Sequence, residues 1–200
     1  MNIQRLGPTW APAYRQLMLD AYARHPEAFT SSPAERAGLP LGWWERRLQE
    51  GDGAGERVWG ATQGAELLGV VGLSRETREK ARHKATLFGL YVPDRHRRLG
   101  LAKGLLGELL AQAATWPDLR VVQLTVTEGN KAALALYEQA GFSVFGREPL
   151  AVAVGDTWFA KLHLWCDLDR LRLGYNPLTT HAASMPLRPV GRGDGLHRMS

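Results

Sequence analysis

Leu90-Tyr91-Val92-Pro93-Asp94-Arg95-His96-Arg97-Arg98-Leu99-Gly100-Leu101-Ala102-Lys103 is the stretch on which the fold turns. An apolar run stops at a proline, basic residues follow, and a glycine opens a new pattern. Leu101, Ala102, Leu105, Leu106, Leu109 and Ala113 recur at three- and four-residue steps, while Lys103, Glu108 and Gln112 leave that stripe. This spacing predicts an amphipathic helix from about Arg98 to Thr115, ended by Pro117. Upstream, Thr86 to Val92 reads as a strand stopped by Pro93. Downstream, Val122, Leu124 and Val126 alternate with Gln123, Thr125 and Thr127, the pattern of a strand with unlike faces. Strand, helix and strand over residues 86 to 127 form a βαβ unit, which normally makes a right-handed crossover between parallel strands. Its ligand end lies where the first strand runs into the helix.

That end carries a phosphate-binding signature. The first N–H groups of a helix have no partner within it and carry partial positive charge, so they bind phosphate oxygens. Gly100 removes a side chain where a pyrophosphate would approach the backbone, and Ala102 keeps the next turn small. Arg97, Arg98 and Lys103 add full charges, and arginine grips phosphate through paired hydrogen bonds. The competing reading is a basic first turn with no ligand. Neither GxxxxGK[ST] nor GxGxxG occurs, so the turn calls for another phosphate ligand.

Around this unit, Asn2 to Leu6 reads as a first strand and Ala11 to Arg24 as a helix. A loop with Pro26, Ser31, Ser32 and Pro33 precedes a broken helical region through Trp43, Trp44 and Leu48. Gly51 to Gly55 reads as a turn, and Val58 to Ala61 with Leu67 to Leu73 as a hairpin around Gly64. Asn130 to Ala140 is a helix closed by Gly141, followed by strands near Phe142 to Gly146 and Trp158 to Trp165. One domain over residues 1–174 is expected, with a flexible basic tail over 175–200 that holds Pro177, Pro186, Pro189, Arg188, Arg192 and Arg198.

The 200 residues carry a formal charge of +5 and a single cysteine, Cys166, so no internal disulfide can form. No run reaches the length of a membrane span, and the N-terminus has no apolar signal region. No CxxC or HExxH appears among the scattered histidines. A reduced, cytoplasmic protein without metal is expected.

Four pieces in order resemble the GNAT family of N-acetyltransferases. They are Leu90-Tyr91-Val92-Pro93, Arg97-x-x-Gly100-x-Ala102, Val122 to Thr127, and Asn130-x-x-Ala133-x-x-x-Tyr137-x-x-x-Gly141-Phe142. Together they cover roughly residues 84 to 147, and Pro26 to Ser32 resembles the substrate-side loop of some small members. The resemblance implies an α/β fold with a mixed, mostly antiparallel sheet, a central βαβ unit and flanking helices. It implies acetyl transfer from acetyl-CoA to a primary amine of a small molecule or peptide. It assigns backbone groups of Leu90, Tyr91 and Val92 to the pantetheine arm. Arg97, Arg98, Leu99, Gly100, Leu101, Ala102 and Lys103 take the pyrophosphate, Asn130 meets the coenzyme, and Tyr137 comes near the thioester sulfur.

Acetyl transfer passes through a tetrahedral oxyanion, which a backbone N–H near Leu90 or Val92 could stabilise. The departing thiolate benefits from a proton, which a tyrosine hydroxyl can donate. Asn130 and Tyr137 lie two helical turns apart on one face. Asn130 is equally a helix N-cap, and Tyr137 equally a core aromatic. The family's strand glutamate is missing, since Thr86-Leu87-Phe88-Gly89 holds no carboxylate. His83, Glu27, Glu35 or a water chain could take the amine proton. Trp43, Trp44 and Phe29 either line an amine site or fill the core.

Two rival readings stand beside the enzyme. One is an acyl-CoA-binding module without chemistry, motivated by the missing carboxylate. The other is a nucleic-acid binder using the tail and two basic clusters, Arg95, His96, Arg97, Arg98 and Lys103 with Arg75, Arg78, Lys80, Arg82, His83 and Lys84, although no nucleic-acid motif is present. An exposed late strand could pair across a homodimer.

Overall fold

The computed structural model describes residues 1–51 and 54–173. The chain runs β1 (Asn2–Arg5), α1 (Ala11–Arg24), α2 (Pro33–Ala37), α3 (Leu41–Arg47), β2 (Glu56–Gln63), β3 (Glu66–Arg75), β4 (Lys84–Tyr91), α4 (Leu101–Ala114), β5 (Val121–Thr127), α5 (Lys131–Gln139), β6 (Ser143–Val154), β7 (Thr157–Asp167) and α6 (Leu168–Arg172). The tail expected over 175–200 lies outside the described residues, as do residues 52 and 53 of the expected turn.

The seven strands form one sheet in the order β1-β2-β3-β4-β5-β7-β6. Only β4 and β5 pair in parallel, and every other neighbour is antiparallel. This is the expected mixed sheet with a central βαβ unit. The reason for its depth is legible in β3, whose residues Leu67 to Leu73 are buried without a break. A strand covered on both faces has no need for polar alternation. Leu68, Val71 and Leu73 join α4 in one core, while Leu67 and Val70 join α1 and Trp44 in the other. Leu105, Leu106 and Leu109 of α4 are fully buried, each contributing about 2 kcal/mol.

The feature that positions the site is the parting of β4 from β5. Their parallel pairing covers only Lys84, Ala85 and Thr86 against Val121, Val122 and Gln123. Beyond it β4 bulges. Gly72 faces Phe88 and Val70 faces Tyr91, so three steps of β4 oppose two of β3. Gly89 supplies the left-handed backbone for this, at φ 61. The β5-facing edge of β4 then has no strand partner among the described residues, and a cavity opens in the gap.

Three expectations need correction. Helix α4 starts at Leu101 rather than Arg98, because Arg98 and Gly100 both adopt left-handed backbone, at φ 65 and 74. Strand β6 runs on to Val154, well past Gly146. Its side chains are mostly exposed and its register shifts twice, so no apolar alternation marks it. The loop before Trp43 holds a short helix, α2, started by a capping box between Ser32 and Glu35 with Pro33 after the cap.

Candidate active site

The cavity between β4 and β5 has a volume of about 590 Å³. Leu90, Tyr91 and Val92 form its β4 wall, and Arg97 and Ala102 its helix-start end. Asn130, Ala133 and Tyr137 bring in α5 from the other side. His25, Glu27 and Phe29 cover it from the loop after α1. Seven of the twelve residues singled out in the sequence therefore meet on one cavity: Leu90, Tyr91, Val92, Arg97, Ala102, Asn130 and Tyr137.

The other five stand at the mouth or behind it. Arg98, Leu99, Gly100 and Lys103 are exposed in the turn that leads into α4, and Leu99 points a 60% exposed side chain to solvent. Leu101 is 2% exposed and belongs to the core, so only its backbone can meet a ligand. No backbone carbonyl among the described residues accepts from the N–H groups of residues 98 to 103. The ladder begins at Gly104, whose N–H donates to the Gly100 carbonyl at 2.9 Å. A Cβ on Gly100 would meet no protein atom within 4 Å. The turn thus offers a row of free donors under open space, which is what a phosphate group requires.

Charge at this end is partly spent within the protein. Arg97 pairs with Asp94 at 2.8 Å and also meets His25 Nε2 at 3.2 Å. Arg95 and His96 both approach Glu66. Arg98 and Lys103 have no ionic partner among the described residues. Tyr91 donates its hydroxyl proton to Asp20 at 2.7 Å, which ties the β4 wall to α1. Burial, aided by that hydrogen bond, raises the Tyr91 phenol to about 12. Hydrogen bonds from Arg24 and Tyr91 hold the Asp20 carboxyl below its ordinary value.

Asn130 is the N-cap of α5, its side chain accepting from the Ala133 N–H at 3.1 Å. Its side-chain amide remains free to donate. Tyr137 stands edge-on to Phe142 at 5.7 Å, and burial pushes its phenol well above the ordinary value. Among the described residues nothing hydrogen-bonds the Tyr137 hydroxyl. Gly141, at φ 93, ends α5 as expected, and the Phe142 N–H returns to the Tyr137 carbonyl at 3.0 Å.

The base candidates separate. Glu27 lines the cavity. Glu35 is engaged in the capping box of α2. His83 lies at the opposite end of β4, seven residues from Leu90 and so roughly 23 Å away at the ordinary strand rise. His25, within 3.8 Å of Glu27, is a cavity residue the sequence did not mark. The aromatic candidates also separate. Trp44 is fully buried in the core, Trp43 packs beside it, and Phe29 reaches the cavity.

Two residues close the cover. Lys161 on β7 donates to the Ala28 carbonyl at 3.1 Å, and Thr127 on β5 donates to the Glu27 carbonyl at 2.8 Å. Both are more than nine-tenths buried. Neither was legible in the sequence, because their partners are 133 and 100 positions away.

Comparison with known proteins bears on what this arrangement is. A curated relative, the L-amino acid N-acetyltransferase AaaT of Escherichia coli, is 27% identical over 103 residues, covering 52% of this chain and 62% of the relative. An acetyltransferase structure from Streptococcus pneumoniae superposes with a TM-score of 0.74 at 21% identity, covering 83% of this chain and 98% of the other. The yncA protein of Salmonella typhimurium, solved with its cofactor acetyl-CoA, superposes at 0.70 with 19% identity, covering 94% and 99%. A ribosomal-protein-alanine N-acetyltransferase from Brucella melitensis gives 0.71 at 22% identity, covering 84% and 99%. At such identities the structures speak for the fold alone. The family model for acetyltransferases (GNAT) matches residues 13–142, which span α1, the parted strands, the free-donor turn and α5. On that match, laid over the geometry above, the chain belongs to the acetyltransferase (GNAT) family.

Proposed function

We propose that the protein transfers the acetyl group of acetyl-CoA to the primary amine of a small molecule or peptide, by direct attack on the thioester. The observation that carries this reading is the cavity where β4 leaves β5, with free N–H donors at its α4 end and Tyr137 in its α5 wall. Arg97, Arg98 and Lys103, with the backbone of Leu99 to Ala102, take the pyrophosphate. The unpaired edge at Leu90, Tyr91 and Val92 takes the pantetheine arm, as an added strand would be taken. The Asn130 amide donates to the coenzyme while its carbonyl oxygen caps α5. Tyr137 gives a proton to the departing thiolate, and Glu27 receives the one the ammonium loses.

Acetyl-CoA serves as co-substrate, without a metal, in a cytoplasmic protein. Strand β6 is a sheet edge with Phe145 and Leu150 exposed, a surface on which a second copy can pair, and sedimentation checks it. Calorimetric titration tests the central reading. Micromolar binding of acetyl-CoA and CoA, with ATP much weaker, is expected. Absence of acetyl-CoA binding would overturn it. The acceptors named for relatives differ, from L-amino acids to ribosomal-protein alanine, so the acceptor is decided by this chain's own side chains.

A further inference from the structure

On the α1 face of the sheet, a second cavity of about 320 Å³ adjoins the first. Phe29 lines both, and Gly89 in the second is followed in the chain by Leu90 in the first. The bulge of β4 and Phe29 lie where the two linings meet. Resting on the acetyl-transfer reading, we propose that this cavity receives the acceptor, and that Arg36 and Arg47 select an amine carrying a carboxylate beside it, an α-amino acid being the simplest case.

The two guanidinium groups come from α2 and α3 and converge on one ring. Arg36 lies 4.7 Å and Arg47 4.8 Å from the centre of Trp43, and Arg47 also lies 4.6 Å from the centre of Phe88. Stacking of this kind holds a guanidinium in place, so little freedom is lost when it binds. One carboxylate, Glu56, faces them, leaving the cavity a surplus of one positive charge. The Arg47–Glu56 pair is close but skewed. Arg47 Nη2 donates to Glu56 Oε1 at 3.2 Å, and Arg47 Nε lies 2.7 Å from Glu56 Oε2 with its N–H out of line. Arg36 donates one hydrogen bond, from Nη2 to Ser31 Oγ at 2.7 Å, and its shielded Nε likewise has no acceptor among the described residues. Glu56 thus occupies one edge of Arg47, and Arg36, with a single hydrogen bond, is the guanidinium left short of acceptors, which a carboxylate matches.

The charge also decides against other acceptors. A bare ammonium would sit beside a net positive charge, whereas a zwitterion brings its own counter-charge. The same positive field favours loss of the ammonium proton, which must precede attack. Met18, Phe29 and Phe88 offer apolar surface among Tyr22, Thr30, Ser31, Ser74 and Thr86, so the wall takes a side chain of mixed polarity. In the step, the amine nitrogen forms a bond to the thioester carbonyl carbon and the carbon–sulfur bond breaks. Glu27 takes the first proton, shed by the ammonium before attack. Sulfur leaves as thiolate and takes the Tyr137 proton, and the second nitrogen proton, lost as the amide forms, passes through water to the Tyr137 phenolate. Glu27 then releases its proton to solvent water.

Initial rates with acetyl-CoA and a matched trio test this: phenylalanine, phenylalaninamide and phenethylamine, with the other common amino acids as a panel. The expected kcat/KM for amino acids exceeds that of the amide and the amine by about 100-fold, the size expected when a bidentate charged contact is lost. Arg36→Gln is expected to raise KM for the amino acid about tenfold and to shrink that gap, with Arg36→Lys recovering part of it. Acetyl-CoA affinity by calorimetry should not move in either variant. If Arg47→Gln fails to fold, the Arg36 pair still answers. Acetyl-CoA binding with equal turnover of acid, amide and amine, or with no turnover of any amino acid, overturns the carboxylate clamp and leaves acetyl transfer standing. Failure to bind acetyl-CoA overturns both.

Discussion

Tyr137 shows how one side chain can be core and reagent together. Its ring packs on Phe142 and the residue is 7% exposed, while it also lines the cavity and its hydroxyl has no protein partner among the described residues. Burial stabilises the neutral phenol, so its pKa rises above the ordinary 10.0 and the group stays a proton donor through any working pH. Tyr137→Phe keeps the ring and deletes the donor. The expected result is a kcat lower by about 100-fold with acetyl-CoA affinity retained. Wild-type turnover in this variant would return Tyr137 to the core. Because the phenol does not ionise below pH 10, the wild-type kcat profile should show no alkaline fall assignable to it below that value, and a fall that vanishes in Tyr137→Phe would contradict the assignment. Asn130 resolves in the same way. Capping uses its carbonyl oxygen and leaves its amide, so the two readings open in the sequence are compatible.

At the scale of elements, the turn into α4 owes its free donors to two left-handed residues, Arg98 and Gly100. Any side chain at Gly100 costs about 1 kcal/mol through its φ of 74, so strain and ligand clash must be separated. Gly100→Ala is expected to lower stability by about that amount and to weaken acetyl-CoA binding only modestly. Gly100→Glu carries the same strain but sets a carboxylate against the pyrophosphate, and calorimetry should find binding abolished. Unchanged affinity in Gly100→Glu would remove the turn from the site. The sequence made this turn legible because its signals are local: a proline stop, a glycine and a leucine stripe. It misplaced the helix start by three residues because a left-handed arginine leaves no mark in composition. Strand β6 was half missed for a related reason. Its side chains are exposed on an edge, with Leu150 at φ 53, so neither periodicity nor burial drives its sequence. The loop over the cavity depends on Lys161, whose charge burial disfavours and whose pKa is therefore lowered. Lys161→Met removes that burden together with the bond to Ala28. The expected outcome is an unchanged or higher melting temperature with a raised KM for acetyl-CoA, and an unaltered KM would free the loop from this tether.

Across the whole molecule, function rests on contacts that no local pattern announces. The second cavity gathers residues from six elements, α1, α2, α3, β2, β3 and β4, and only the sheet order brings them together. The same holds for α6, a five-residue helix too short for periodicity to reveal. Its Arg172 reaches back to the far end of α4 and donates to the carbonyls of Ala114, Trp116 and Leu119 at 2.9, 2.6 and 2.8 Å. One cation thereby satisfies the carbonyls left over where a helix ends, and its charge suits that negative end. Asp169 steadies it at 2.6 Å and also pairs with Arg120. Burial pulls the Asp169 carboxyl upward, but hydrogen bonds from Arg172 and Arg120 outweigh this and hold it below the usual 3.8. Arg172→Met should cost about 2 kcal/mol, a fall of roughly 4–8 °C in Tm. Acetyl-CoA affinity should stay constant, because the cap lies about 20 Å along α4 from Gly100. Asp169→Asn adds a pH signature. A depressed carboxyl stabilises the fold above its unfolded pKa and loses that contribution as pH falls through its folded value. The wild type should therefore be more stable than Asp169→Asn at pH 7, and the gap should close as pH drops below about 4. A gap that persists undiminished at pH 2 would mean that Asp169 acts by shape alone, and that the tie between α6 and α4 is not electrostatic.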